Sequence, residues 1–282
     1  GIAATRARLR RERLAERSIG FVPTMGALHE GHLSLMRRAR EECRFVAASI
    51  FVNPTQFGPS EDYTRYPRDL ERDSALAESA GVDLLFSPEA GEIYPEGFQT
   101  AVEVQSLSAT LEGAYRPGHF RGVATVVAKL FAILQPTRAY FGEKDYQQLL
   151  VVRRMARDLN FELEVIGCPI VREADGLALS SRNVYLSPEA RRQATCLCRA
   201  LREVQARVSA GSNDGALLTR QTRELIAASP LAQPDYVAIC DPDNLAPLTL
   251  LDRPARMLVA AKVDGVRLID NALLLPAARQ TA

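Results

Sequence analysis

A doubly wound α/β domain followed by a smaller α+β domain is the fold this 282-residue sequence predicts. Three observations lead there. Up to about residue 170, short apolar runs alternate with amphipathic helical patterns, as parallel strands joined by helical crossovers require. Those runs do not alternate strictly with polar residues, which fits strands buried on both faces. After residue 170 the order changes to helices followed by three strand-like stretches. The expected domains are therefore 1–170 and 171–282.

The opening "TRARLRRERLAER" reads as an exposed helix: Glu12 and Glu16 sit among its arginines and no apolar stretch follows, so it is not a targeting peptide. The opening residue, Gly1, suggests a trimmed N-terminus. Strands are predicted at "IGFVPT" (19–24), "RFVAASIFV" (44–52), "VDLLFS" (82–87), "RAYF" (138–141) and "FELEVI" (161–166). Between them lie helices at 33–43, 69–80, 121–135 and 144–159. The third is clearest, with Val123, Val126, Val127, Leu130, Phe131 and Leu134 at helical spacing and Pro136 to end it. Ser187 and Pro188 form an N-cap with proline at the first helical position, starting a helix to about Ser209. A second spans 213–228, and "PDYVAICD", "ARMLVAAKV" and "VRLIDNALLL" complete the smaller domain.

Composition narrows the classes. Hydrophobic residues make up 47% and charged residues 24%, ordinary for a globular protein. A net charge of +1 gives no reason to expect nucleic acid or an anionic membrane as partner. No run approaches the roughly 20 apolar residues of a spanning helix. The five cysteines form no CxxC pair, which predicts free thiols in a reducing cytoplasm rather than a zinc knuckle or a disulfide framework.

Chemistry is suggested at the strand ends, where such sheets bind ligands. "TMGALHEGHLSL" places two of the chain's three histidines, His29 and His32, between a strand and a helix. A zinc protease signature needs histidines at i and i+4; these are three apart, Gly31 disfavours a helix interior, and His119 is the one remaining histidine. The alternative is a phosphate site at a helix N-terminus, with Gly26 and Gly31 allowing close approach and imidazoles donating hydrogen bonds. Asn53, Thr55 and Gln56 in "FVNPTQF" can grip a small polar substrate or simply bond their own turn. In "YFGEKDYQQLL", Gly142, Glu143, Lys144 and Asp145 open a helix; Lys144 can neutralise phosphate, and Gln148 lies one turn on. "READGLALSSRN" offers Ser180, Ser181 and Arg182, a set suited to a polyphosphate. "YRPGHFRGV" adds His119 and Arg121, which shape a pocket or cap the following helix. Taken together these loops indicate a nucleotide-using α/β enzyme and do not name its substrate.

The segments "PTMGALHEGH", "FVNPTQF", "YPRDLERD", "GHFRGV", "FGEKDYQQL" and "VREADGLALSSRN" resemble, in this order, the pantoate–β-alanine ligase (pantothenate synthetase) family. "HEGH" is similar to the HxGH signature of the nucleotidyltransferase superfamily. The resemblance implies a Rossmann-like sheet domain binding ATP and pantoate, and a smaller C-terminal domain closing over the site. It implies condensation of (R)-pantoate with β-alanine through a pantoyl adenylate, releasing pyrophosphate and then AMP. The backbone from Met25 to His32, Gly26 included, is expected to cradle ATP, with His29 and His32 at the reacting phosphates and His32 in an acid or charge-stabilising role.

By the same resemblance, Gln56, Gln148 and Asn53 hold pantoate and β-alanine. Gly142, Glu143, Lys144 and Asp145 contact the nucleotide, Val171 the adenine or ribose, and Leu179, Ser180, Ser181 and Arg182 the triphosphate. His32, His29, Lys144 and Arg182 are the expected catalytic set. Mg²⁺ is expected to enter with ATP; Asp73 is a conceivable contact, but no protein ligand is assigned. A homodimer, a cytoplasmic location and a lid at 59–66 are also implied. The sequence departs from the family at Leu179, where methionine is common, and matches its acidic residues around "RDLERD" only in part. Rival readings are an adenylating ligase for another small acid, a non-catalytic nucleotide-binding protein, and a metal hydrolase on His29, His32 and His119.

Overall fold

Five parallel strands build the first sheet: β1 (Ile19–Thr24), β2 (Phe45–Ile50), β3 (Leu84–Phe86), β4 (Arg138–Gly142) and β5 (Glu164–Cys168), in the order β3-β2-β1-β4-β5. This computed structural model describes residues 1–59 and 61–277; Ser60, within the expected lid, lies outside the described residues, as do residues 278–282. From β1 the chain winds outward through β2 to β3, then returns to the other side of β1 for β4 and β5. The two windings diverge between β1 and β4, the kind of switch point beyond whose strand ends such sheets bind ligands.

Side-chain alternation explains the layers. Val22, Val46, Ala48 and Tyr140 turn to one face and pack with Leu33, Met36 and Ala39 of helix α2 (Glu30–Glu42). Phe21 and Phe141 turn the other way and meet Phe131 edge-on at 6.5 and 6.4 Å. Phe131 belongs to α4 (His119–Leu134), whose end at Gln135 takes a left-handed conformation just before Pro136. Helix α1 (Ile2–Leu14) is not simply exposed: Thr5, Leu9 and Glu12 are buried, and Arg13 donates to the Leu134 carbonyl at 2.9 Å. Buried Glu12 is held by Arg8 and Arg17 at 3.0 and 2.9 Å. Helix α3 (Leu70–Ser79) is capped by Asp69, which accepts from the Arg72 amide, and α5 (Tyr146–Asp158) follows a single 3₁₀ turn, Glu143–Asp145.

Two expected elements shift, for local reasons. The fifth strand begins at Glu164 rather than Phe161, because Asn160 has φ +52 and Leu163 bonds back to Phe161 in a tight turn. The long helix expected from 187 to 209 is two, α6 (Pro188–Ala194) and α7 (Cys196–Ser209). At the break, the Thr195 hydroxyl donates to the Arg192 carbonyl at 2.7 Å, competing with the helical ladder.

The chain divides into two compact units, Gly1–Val171 and Arg172–Ala282. In the second, α7 and α8 (Gly215–Ala227) cover one face of an antiparallel sheet of β6 (Ala232–Cys240), β7 (Ala255–Val263) and β8 (Val266–Leu274). All five cysteines are buried and free. Burial pushes the Cys168 and Cys240 thiols up to about 11. Among the described residues, no helix is long and apolar enough to cross a membrane.

Candidate active site

The turn after β1 is built around a buried carboxylate. The Thr24 hydroxyl donates to the Ser49 carbonyl and accepts from the Gly26 amide. Gly26 (φ +81) and Ala27 (φ +51) then both take left-handed conformations, which aims the next amides inward. Asp73, 1% exposed, accepts from Ala27 N at 2.7 Å and Leu28 N at 2.8 Å. A Cβ on Gly26 would lie 2.9 Å from Asp73 Oδ2, so only glycine allows this approach. Each Asp73 oxygen thus takes one backbone amide of the β1 turn, so the carboxylate ties α3 to that turn.

His29 caps α2, which starts at Glu30, three residues ahead of the predicted start, with an extended backbone and its Nδ1 accepting from Gly31 N at 3.1 Å. His32 Nδ1 accepts from His29 N at 3.3 Å, closing a reciprocal cap, and the two rings lie 4.1 Å apart. Each ring therefore takes a hydrogen at Nδ1, so in the neutral form its own proton sits on Nε2. Burial, then the charges of His29 and Lys144, pushes His32 down to about 3. The amides of residues 26–29, 31 and 32 all have partners within the turn or on Asp73. The expected backbone cradle is thus largely closed on itself, and an anion here meets side chains and the helix dipole.

After β2 the 53–56 turn rests against α4. Gly122 makes this possible: a Cβ there would lie 2.3 Å from the Thr55 carbonyl oxygen. Asn53, 1% exposed, donates to Gln56 Oε1 and Gly122 O, while its oxygen accepts from Thr55 and Tyr94. With both amide hydrogens and its oxygen engaged, Asn53 holds the turn. Gln56 Nε2 donates to Met25 Sδ at 3.2 Å, joining the β2 turn to the β1 turn. His119 does not cap α4, a place taken by Gly118, and among the described residues it belongs to no group of three that could hold a metal; its Nδ1 lies 2.9 Å from the Gln56 carbonyl.

The third loop leaves β4. Gly142 is followed by the Glu143–Asp145 turn, with Lys144 Nζ 3.9 Å from Asp145 Oδ2 and close enough for its charge to act on His32. The adjacent glutamines divide. Gln147, 2% exposed, accepts from Glu112 N and donates to the Leu107 and Thr110 carbonyls. Gln148 is half-buried on α5, one residue further round. Gln147 is thus structural, a distinction the pair "QQ" does not reveal.

Val171 ends the first unit. In the second, Arg172 pairs with buried Asp270 through two bonds of 2.6 and 2.8 Å, and a bridge to Ala178 starts the stretch leading to Leu179. Ser180 caps the 3₁₀ turn Ser181–Tyr185, accepting from Arg182 N. A cavity of ≈ 270 Å³ also opens in the first unit beside Met25 and Gly26, walled by Ile50, Val52, Arg68 and Pro88. Asp73 also lines it, whereas neither histidine of "HEGH", nor Lys144, nor either candidate glutamine does.

A family model described as pantoate-beta-alanine ligase matches residues 1–273. A pantothenate synthetase of Roseiflexus sp. is 58% identical over 274 residues, covering 97% of this chain and 99% of the relative. One from Thermus thermophilus is 58% identical over 276 residues, covering 98% of each. A crystal structure of the Thermus thermophilus pantothenate synthetase matches with a TM-score of 0.93 at 58% identity, covering 98% of each chain. That of a Francisella tularensis pantoate-beta-alanine ligase, complexed with beta-gamma ATP and beta-alanine, matches with a TM-score of 0.79 at 36% identity, covering 97% of this chain and 95% of that one.

Proposed function

The chain belongs to the pantoate-beta-alanine ligase family and joins pantoate to β-alanine with ATP; we propose that it does so through a pantoyl adenylate. The observation that supports this reading is that two stacked imidazoles lie within reach of the Lys144 charge at the end of β1, with Gln56 joined to Met25 of the same turn. A carboxylate cannot expel oxide, so the pantoate carboxylate first attacks the α-phosphorus of ATP and pyrophosphate leaves. The β-alanine amine then attacks the acyl carbon, and the bond to AMP breaks.

In this reading the Nε2–H groups of His29 and His32 and the Lys144 ammonium donate to phosphate oxygens as charge gathers on the leaving pyrophosphate. His32, held down to about 3, acts as a neutral donor rather than a proton carrier at pH 7. We assign Gln56 and Gln148 to pantoate, with Gln56 also reaching β-alanine, and Asn53 to positioning. Gly142, Glu143 and Asp145 are assigned to the nucleotide, Val171 to its adenine or ribose, and Leu179, Ser180, Ser181 and Arg182 to the triphosphate.

Mg²⁺ enters this scheme only with the ATP phosphates. Among the described residues no three His, Cys, Asp or Glu side chains are grouped to hold a metal, and Asp73 is engaged; no step is routed through a protein-bound ion. A homodimer and a cytoplasmic location are carried by the family alone. The test is pyrophosphate release from ATP and Mg²⁺ with pantoate present and β-alanine omitted. A stoichiometric burst that needs pantoate, then turnover and AMP when β-alanine is added, is expected. ATP binding without a burst would refute the adenylate.

A further inference from the structure

His119 is the one histidine the mechanism leaves unused, yet it is buried against the turn that carries Gln56. Arg116 Nη1 lies 3.0 Å from His119 Nε2. A guanidinium only donates, so Nε2 must accept and the ring's single proton must sit on Nδ1. That Nδ1–H faces the Gln56 carbonyl at 2.9 Å. Arg116 is itself fixed by a two-bond fork, Nε and Nη2 to the Glu61 carboxylate, both at 2.7 Å, which leaves Nη1 turned to the imidazole. Four groups thus form a chain in which Arg116 donates both ways: braced by Glu61 it sets the His119 tautomer, and the tautomer fixes a backbone carbonyl.

The carbonyl belongs to a residue whose side chain is also tied down, by Asn53 at Oε1 and Met25 at Nε2. We propose that His119 is a positioning residue for substrate capture: it anchors the Gln56 backbone so that the Gln56 amide meets pantoate at one fixed angle, and Arg116 and Glu61 hold it in the tautomer that does so. The proposal rests on the assignment of Gln56 to pantoate. It differs from plain packing in requiring a donor at the Nδ1 position and not at Nε2. Asparagine can place an N–H near the Nδ1 position, whereas glutamine extends its amide toward the Nε2 position and supplies no donor to the Gln56 carbonyl.

His119→Asn, His119→Gln and Gln56→Ala, each in the full chain, are compared by pyrophosphate release against pantoate concentration. His119→Asn is expected within about threefold of the parent KM for pantoate, and His119→Gln about tenfold above it, the weight of one hydrogen bond. Equal KM values in the two His119 variants would overturn the proposal even if both lose thermal stability equally. An unchanged pantoate KM in Gln56→Ala would overturn the underlying assignment instead. Should the variants fail to fold, ¹⁵N shifts of the imidazoles in the unmodified protein decide: Nδ1–H on His119 supports the chain of bonds, and Nε2–H refutes it.

Discussion

Gly122→Ala probes how closely the substrate turn is seated on α4. The added Cβ would stand 2.3 Å from the Thr55 oxygen, 2.6 Å from the Thr55 carbonyl carbon and 2.7 Å from Gln56 Cα, where real Cβ contacts do not fall below 3.0 Å. All three neighbours are backbone, so no side chain can swing aside. Removing the worst overlap takes at least 3.0 − 2.3 = 0.7 Å of movement, and the Asn53 bond to Gly122 O, 3.1 Å long, stretches with it. Overpacking of this kind costs about 1–3 kcal/mol, or roughly 2–10 °C in Tm for a chain of this size. The catalytic effect should be larger, since misplacing a binding group by about 1 Å costs on the order of 10²-fold. The assay is pyrophosphate release across a pantoate series, beside a thermal melt. A variant with pantoate kcat/KM within about threefold of the parent would refute the view that this contact sets the Gln56 position.

His32→Ala should abolish most adenylation, because it removes transition-state contacts, and should cost about 0.5–2 kcal/mol of stability through the lost α2 cap bond; parental pyrophosphate release would contradict the catalytic role. His32 and His119 are held down to about 3 and about 4, both chiefly by burial. The unfolded chain takes up protons on both near pH 6.5, so the stability they leave intact above that pH should fall as the pH drops from about 6.5 toward those values. Denaturant midpoints at pH 7 and 5 check the sign, and a higher midpoint at pH 5 would be incompatible with it. Asp73→Asn should cost about 2–3 kcal/mol, because an amide cannot accept from both Ala27 and Leu28 without setting an N–H against a donor, and adenylation should fall with it; equilibrium unfolding and single-turnover pyrophosphate release measure the two. Gln147→Ala should lower stability and spare the pantoate KM, whereas Gln148→Ala should do the reverse, and a shared phenotype would argue against dividing the pair.

The parallel sheet was legible because burial on both faces writes itself into short range: "IGFVPT" and β1 coincide residue for residue, and the Val123 to Leu134 pattern traces one side of α4. What the sequence hid depends on partners far along the chain. Asp73 reads as one acid in "YPRDLERD", and its work on Ala27 spans 46 residues. His119 reads as a cap or a ligand, because Gln56 lies 63 positions away. Asn53 and Gln56 look equivalent as turn amides until the carbonyl of Gly122, 69 residues on, engages one of them. The short helical turns between residues 90 and 115 carry too few residues for a period to show. The break at Thr195 turns on one hydroxyl, which propensity alone does not weigh.

The buried thiols turn each unit into its own clock. Cys43 and Cys168 lie in the first unit and Cys196, Cys198 and Cys240 in the second. Thiols shielded from solvent do not meet an alkylating reagent until the structure around them opens. Their labelling rates in native buffer would therefore report opening free energies separately for the two units. Mass spectrometry of the labelled peptides would show, without any engineered probe, which half of the chain breathes first and how far substrate binding slows it.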